Sequence, residues 1–307
     1  MKKIGLIGCG AIGRLHAKNL SQRANMVFCS RSLASAERFG EEFGGRAVDS
    51  VEKLLRIDSL DAVVIASPPE HHCAQTVAAL QAGKSVLVEK PMCVSPAEVE
   101  KVAAAAAANR GFVMVAENYY YKPSLALIKE WAGAAGPIRS VRAKKLFTQA
   151  SVGWKSGYGA LLEGGVHFVA LVADLFDRAP DAVEAEFPGH VAGTPERHSM
   201  LRLRFGEATA ELRYAWDRPS LTKGILQRSR VECERGRVLF ESNGLYVRRG
   251  GRWGFRLRDL MGYGAMTDDF LACLEEPGRQ PYSDLARAGR DLGIVFAAYE
   301  GIDQGGA

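Results

Sequence analysis

The sequence predicts an α/β chain in two parts: a doubly wound parallel sheet over residues 1–120, and an α+β domain with an open, mainly antiparallel sheet over residues 121–307. Three observations predict it. A glycine-rich turn joins an apolar strand to a helix near the start of the chain. Strands and helices then alternate as far as Ala116, the pattern of parallel strands linked by crossover helices. Beyond Ala182 the hydrophobic period falls to two, the mark of half-buried strands. At 307 residues the chain exceeds the comfortable size of one hydrophobic core, which agrees with two domains.

The turn has the spacing of a dinucleotide site. Ile4, Leu6 and Ile7 form the apolar run that a buried parallel strand needs. Gly8, Gly10 and Gly13 follow at G-x-G-x-x-G spacing, with Ala11 and Ile12 inside the motif and a helical run from Arg14 to Leu20 behind it. Gly8 allows the tight turn and Gly10 lets the backbone approach a pyrophosphate. Gly13 lets the helix pack closely on the strand while its N-terminus faces the anion. The alternative is a plain structural turn; the strand before the motif and the helix after it favour binding.

Further strands are predicted at Asn25–Ser30, Ala62–Ala66, Ser85–Val88 and Phe112–Ala116, and helices at Leu33–Phe43, Glu70–Ala82 and Pro96–Ala108. A ligand on such a sheet lies at the carboxyl ends of the strands. Three stretches stand there: Ser30-Arg31-Ser32, Ser67-Pro68-Pro69 and Glu89-Lys90-Pro91. The first chooses the cofactor. An NAD site presents Asp or Glu about 20 residues beyond the fingerprint to hold the ribose hydroxyls, and here Ser30 and Arg31 take that place. An arginine flanked by the hydroxyls of Ser30 and Ser32 accepts a 2′-phosphate through charge-assisted hydrogen bonds, whereas a carboxylate would repel it. NADP is therefore the expected cofactor and NAD the alternative; the other reading of Arg31 is a solvated loop residue.

"VLVEKPMCVSPAE" (Val86–Glu98), preceded by "ASPPEHH" (Ala66–His72), resembles the Gfo/Idh/MocA oxidoreductases, the family of glucose-fructose oxidoreductase and inositol dehydrogenase. Fingerprint, S-P-P turn and E-K-P motif occur in the family's order. The resemblance implies a Rossmann domain in which Ser67, Pro68, His72 and Glu89 line the cofactor, and in which Lys90 lies near the nicotinamide and the reacting carbon. On the residues alone, a lysine at a strand's carboxyl end, followed by a stiffening proline, can aim its ammonium into a cleft. For His72, capping the following helix is an adequate alternative.

The second domain begins after "AENYYYKP" (Ala116–Pro123), with a helix at Ser124–Ala132 and a strand at Ser140–Phe147 separated by Gly136-Pro137. In "WKSGYGALLEGGVHFVALVADLF" (Trp154–Phe176), Leu161, Leu162, Val166, Val169, Val172 and Phe176 recur at helical intervals, which puts Glu163 and His167 four apart on one helix face. Gly164 and Gly165 each cost about 1 kcal/mol in a helix relative to alanine, so something must come close to them. In the resembled family this region reads D-x-G-x-H and lines the substrate. Glu163 stands at the aspartate position, a departure of one methylene, while Gly165 and His167 match directly. The resemblance makes Lys90 and His167 the proton relay, with Glu163 orienting His167 or a substrate hydroxyl. Tyr119, Tyr120, Trp154 and Tyr158 are candidate pocket walls, since sugars stack on aromatic faces, or else core residues.

"HSMLRLRFGEATAELRYAW" (His198–Trp216) alternates and turns at Gly206-Glu207. Further hairpins are predicted at Arg235-Gly236 and Gly250-Gly251, and helices at Thr267–Leu274 and Asp284–Tyr299. One face of this sheet is rich in Arg and Glu. The resemblance implies that it packs against a twin subunit in a homodimer or homotetramer; the alternative is a solvated, ion-paired face.

A net charge of +5, with Arg and Lys interspersed among Glu and Asp, argues against a nucleic-acid partner. No apolar run approaches the roughly 20 residues that span a bilayer, and no signal peptide opens the chain, so no membrane partner and a cytoplasmic location are expected. Six cysteines without C-x-x-C pairs are expected to be reduced, and His190 and His198 lack a carboxylate cluster, so no metal is expected. The expected function is an NAD(P)-dependent oxidoreductase moving a hydride between nicotinamide and an alcohol or carbonyl carbon of a small molecule. The resemblance favours a sugar or polyol, with a ketone or imine also open. The alternatives are an NAD-retaining glycoside hydrolase of the same fold and a non-catalytic NADP-binding sensor.

Overall fold

Short, wholly apolar strands can be buried only when helices cover both faces of their sheet, and the first 117 residues meet that condition. A computed structural model describes residues 1–150, 152–220, 222 and 224–302. In it β1 (Lys3–Ile7), β2 (Asn25–Cys29), β3 (Arg46–Val48), β4 (Ala62–Ile65), β5 (Ser85–Val88) and β6 (Val113–Val115) form one parallel sheet of order β3-β2-β1-β4-β5-β6. The order reverses between β1 and β4, the switch point at which such sheets bind ligands. The connecting helices are α1 (Ala11–Leu20), α2 (Leu33–Phe43), α3 (Val51–Leu55), α4 (His72–Gln81) and α5 (Pro96–Ala108). The edge strand β3 and the one-turn α3 were not expected from the sequence. Three and five residues are too few to carry a period, although Ser50 marks the start of α3 by accepting the Lys53 N–H at 3.1 Å.

The chain forms two compact units. The first is Met1–Glu117 with Tyr263–Ala288, and the second is Asn118–Gly262 with the chain from Gly289 on. A contiguous boundary after residue 120 lies close to the first crossing, but α8 (Tyr263–Glu275) belongs to the first unit rather than to the C-terminal domain. The reason is the open edge of β6. The Val115 N–H donates to the Ser283 carbonyl at 2.9 Å, the Ser283 hydroxyl donates to the Val115 carbonyl at 2.7 Å, and Phe270 of α8 meets Phe112 edge-on at 6.0 Å. Backbone groups left open at a sheet edge find partners far along the chain.

In the second unit, α6 (Pro123–Gly133) precedes β7 (Ile138–Leu146), and α7 (Val166–Phe176) precedes β8 (Ala182–Glu186), β9 (His198–Phe205), β10 (Ala208–Ala215), β11 (Arg228–Cys233), β12 (Gly236–Glu241), β13 (Val247–Arg249) and β14 (Arg252–Gly254). These strands make a sheet of order β14-β13-β12-β11-β7-β10-β9-β8, in which β7 and β10 run parallel and the other neighbours antiparallel. The β9–β10 and β13–β14 hairpins turn where expected, while the β11–β12 hairpin turns one residue earlier, at Glu234-Arg235. The helix α9 (Leu285–Glu300) closes the described chain. On the exposed face the register lines up Arg230, Arg142, Glu211, Arg202 and Glu184 across five strands. Arg142 pairs with Glu211 at 2.9 Å and Arg202 with Glu184 at 3.4 Å. Among the described residues no helix is long and apolar enough to cross a membrane.

Candidate functional site

In the first unit, β1 hands the chain to α1 through a turn that only glycine fits. Gly8 has φ +105°, and a Cβ there would stand 2.5 Å from the Ala66 carbonyl at the end of β4. A Cβ on Gly13 would lie 1.9 Å from the Gly8 oxygen. Gly10 is the opposite case: it is exposed, and nothing lies within 4 Å of where its Cβ would be. Gly10 also provides no side-chain cap for α1, and the first turn, which includes Ala11 and Ile12, carries no acid. The helix therefore presents uncapped N–H groups to an anion across an open backbone, which is what a dinucleotide pyrophosphate requires.

At the carboxyl end of β2, Arg31 and Ser32 are exposed and Ser30 is half-buried, and no side chain of the three has a hydrogen-bond or ion partner among the described residues. Arg14, by contrast, is taken: it pairs with Glu42 and lies over the rings of Phe39 and Phe43 at 5.0 and 5.5 Å. Arg31 thus leaves its whole guanidinium fork unengaged. Burial pushes the Cys9 and Cys29 thiols up to about 11, so neither is a nucleophile at neutral pH.

The S-P-P and E-K-P turns are tied together by His72. Its Nδ1 lies 2.8 Å from the Pro91 carbonyl oxygen and its Nε2 2.7 Å from that of Ser67, while the Ser67 hydroxyl donates to Gln75 at 2.7 Å. Burial pushes the His72 pKa down, against the two carbonyls, each an acceptor facing a ring nitrogen, which raise it. Both ring nitrogens face backbone carbonyls, and α4 is preceded by His71 without any side-chain cap, so His72 does not cap the helix. Pro68 opens the short 3-10 turn Pro69–His71.

Lys90 follows β5 half-buried, and its neighbour Glu89 is buried. His16, one helical turn past Gly13, donates from Nε2 to Glu89 at 2.8 Å, and the other Glu89 oxygen accepts the Lys90 backbone N–H at 3.2 Å. Burial pushes the Glu89 carboxyl up, but the His16 hydrogen bond and the charges of His16, Lys90 and His72 outweigh it and hold the carboxyl below its ordinary range. In the fold Glu89 braces the backbone of Lys90 against α1. His16 was missed as its partner because 73 residues separate the two.

In the second unit the predicted helix at 161–176 begins as a π turn, Leu161–Gly165, before α7 proper. The Val166 N–H reaches back five residues to the Leu161 carbonyl. The spacing from Glu163 to His167 therefore crosses a wider turn than the α-helical face expected for it. What comes close to Gly164 is Tyr214 of β10, whose phenol oxygen a Cβ there would meet at 2.1 Å; a Cβ on Gly165 would meet the Leu161 side chain at 2.9 Å and Tyr214 at 3.5 Å. Burial pushes the Tyr214 phenol well above its ordinary range, so it stays neutral.

Glu163 is buried and pairs with Lys155 at 2.9 Å. Half-buried His167 stacks on Tyr119, rings 4.6 Å apart and 11° from parallel, and the Lys122 ammonium lies 3.9 Å from the same tyrosine ring. Trp154 is exposed and meets Tyr158 at 6.2 Å. Tyr119, Trp154 and Tyr158 thus sit with Glu163, Lys155 or His167, and Tyr120 does not. Its buried hydroxyl donates to Asp291 and accepts from Arg290 at 2.9 Å, which makes it an anchor for α9. Lys155 and Lys122 were missed, although each stands beside a stretch already singled out. Among the described residues no group of His, Cys, Asp and Glu has the makings of a metal site.

Residues 2–117 match the model of an oxidoreductase family, Gfo/Idh/MocA, described by its NAD-binding Rossmann fold. A glucose-6-phosphate 3-dehydrogenase of Bacillus subtilis (strain 168) is 30% identical over 230 residues, 69% of this chain and 65% of the relative, so the match spans just under two thirds of that relative's length. A putative oxidoreductase from Magnetospirillum magnetotacticum MS-1 superposes with a TM-score of 0.81 at 25% identity, covering 96% of this chain and 99% of the other. A 3-ketoreductase from Actinomadura kijaniata, solved with NADP and TDP-benzene, superposes with a TM-score of 0.80 at 22% identity over 98% and 97% of the two chains.

Proposed function

We propose, for a chain whose residues 2–117 belong to the Gfo/Idh/MocA oxidoreductase family with its NAD-binding Rossmann fold, that the protein is a dehydrogenase or reductase. It would act on an alcohol or carbonyl carbon of a small molecule, a sugar or polyol first and a ketone or imine second, with NADP preferred to NAD. The observation that carries this reading is the cradle at Gly8, Gly10 and Gly13, open only where a pyrophosphate would lie, in the same unit as Lys90 at the end of β5. When bound, the nicotinamide supplies or takes the hydride.

The chain's own groups have the remaining work. The α1 N-terminus holds the pyrophosphate and Arg31 the 2′-phosphate. Lys90, with its backbone fixed by Glu89, polarises the substrate oxygen, and His167 gives or takes the hydroxyl proton. Tyr119 holds the imidazole plane from one side. Glu163, already paired with Lys155, offers its carboxylate to a substrate hydroxyl.

A screen of sugars, polyols, ketones and cyclic imines followed by NADPH absorbance tests the reading. Lys90→Ala and His167→Ala should each lower kcat by about 10²-fold or more while NADPH affinity stays within a few fold, since acid–base groups contribute 10² to 10⁴. Turnover unaffected by both changes would remove the assignment. Scattered, unpaired thiols favour the cytoplasm as its compartment. The Arg- and Glu-lined sheet face is our candidate for a homodimer or homotetramer contact, supported by its register of alternating charges, which a twin face could complement. Sedimentation should give a dimer or larger that Arg142→Glu weakens, and a clean monomer at micromolar concentration would return the face to solvent.

A further inference from the structure

The π turn that carries Glu163 and the helix that carries His167 are held at their N-terminal end from a distance. No side chain of the turn's own caps it. The Glu196 carboxylate, from the segment before β9, accepts the Ala160 N–H at 2.5 Å on one oxygen and the Leu161 N–H at 2.7 Å on the other. Tyr299 of α9 donates its hydroxyl to that second oxygen at 2.7 Å and accepts the Leu162 N–H at 3.2 Å. Three successive N–H groups, which a helix start leaves without intrahelical partners, are met by these two side chains, the Ala160 N–H also by the Glu196 backbone carbonyl at 2.9 Å.

The arrangement is built in. A Cβ on Gly159 would lie 2.5 Å from the Glu196 carboxylate and 2.6 Å from the Tyr299 oxygen, so the chain gives up a side chain to let both approach. Glu196 is 2% exposed. Burying a carboxylate is costly unless it is fully hydrogen-bonded, whereas a Ser or Asp next in sequence would have capped the turn at the surface. Leu162, the last residue anchored, immediately precedes Glu163, and the bond from Val166 back to Leu161 passes the same constraint on to the start of α7.

We propose that Glu196, backed by Tyr299, is the positioning residue of this site: a fixed hydrogen-bond acceptor at the start of the π turn that sets where Glu163 and His167 stand. The inference rests on the reading that those two residues serve the substrate. The other titratable or charged groups facing Glu196 are Arg197 beside it and Tyr214 of β10. Burial raises the Glu196 carboxyl against the Tyr299, Leu161 and Ala160 hydrogen bonds and the Arg197 charge, so it takes up a proton above the ordinary carboxylate range.

Glu196→Gln and Tyr299→Phe, each in the full chain, test it by two independent readouts. Amide exchange should speed up by about tenfold or more over residues 160–167 in Glu196→Gln, and less in Tyr299→Phe, while β9 and β10 keep their protection. On a substrate found by the screen, kcat should fall by about 10²-fold with KM for NADPH within a few fold, as a misplacement of about 1 Å would produce. The acid limb of the pH profile that Glu196 gives the parent should be absent from Glu196→Gln, whose amide cannot titrate. Unchanged exchange over 160–167, faster exchange spread evenly through the second unit, or an unchanged kcat beside faster local exchange would each overturn the proposal. If the parent turns over no substrate at all, the enzyme reading fails while the exchange experiment still decides the anchor.

Discussion

The two glycine-rich turns of this chain refuse a side chain for different reasons. At Gly13 the obstacle is the Gly8 carbonyl oxygen, 1.9 Å from the missing Cβ; at Gly164 it is the Tyr214 phenol oxygen, 2.1 Å away. The distances are similar and the physics is not. The first obstacle is backbone, five residues away on the same turn, and cannot move without lifting α1 from β1. The second is the end of a side chain from another strand, fifty residues on, and a substitution can remove it. One turn is specified by its own sequence and the other by a partner.

Substitutions can break or sharpen this contrast. The largest effect should come from Gly13→Ala, which should abolish NADPH binding and destabilise the protein by about 3 kcal/mol or more, the upper end of overpacking costs, with no single second change restoring it. Calorimetry and NADPH fluorescence check both halves. Gly10→Val is its control: with open space around the site it should melt like the parent yet lose NADPH affinity by about 10²-fold. Binding at parental strength would mean that the pyrophosphate lies elsewhere.

Gly164→Ala should cost about 1–3 kcal/mol. Its combination with Tyr214→Leu should cost less than the sum of the two single changes, by about 1 kcal/mol, because contacting residues couple. Strictly additive urea midpoints would show that Tyr214 is not the obstacle.

Arg31→Asp carries the contrast over to charge, since Arg31 is exposed and unpaired while Glu89 is buried and held by His16. The NADPH to NADH affinity ratio should fall by about 10- to 100-fold, the worth of one charged hydrogen bond at about 1.5–3 kcal/mol. Equal ratios before and after would leave Arg31 without a role in the choice of cofactor.

How much was legible follows the same division. The glycine fingerprint, the strand ends that carry Arg31 and Lys90, and the hairpins of β9–β10 and β13–β14 were all readable, because each is fixed by neighbours within a few residues. The strands β3 and β8 were not expected, and the first is too short to declare a period. That His72 ties together two carbonyls nineteen and five residues away was not readable from its own stretch of chain. Tyr120, a candidate pocket wall or core residue, is buried with its hydroxyl spent on α9.

The sequence by itself determined the parallel sheet, the open backbone at Gly10 and the place of Arg31, since covalent geometry and hydrophobic period act locally and are written in consecutive residues. Only the tertiary structure decided that α8 returns to the first unit, that His16 braces Glu89, that Lys155 pairs with Glu163, and that Glu196 and Tyr299 anchor the turn before His167. Apart from Lys155 and Glu163, those are contacts between groups 168, 73, 36 or 137 residues apart. A buried polar group must find a partner, but nothing in its own stretch of chain says which one folding will bring to it.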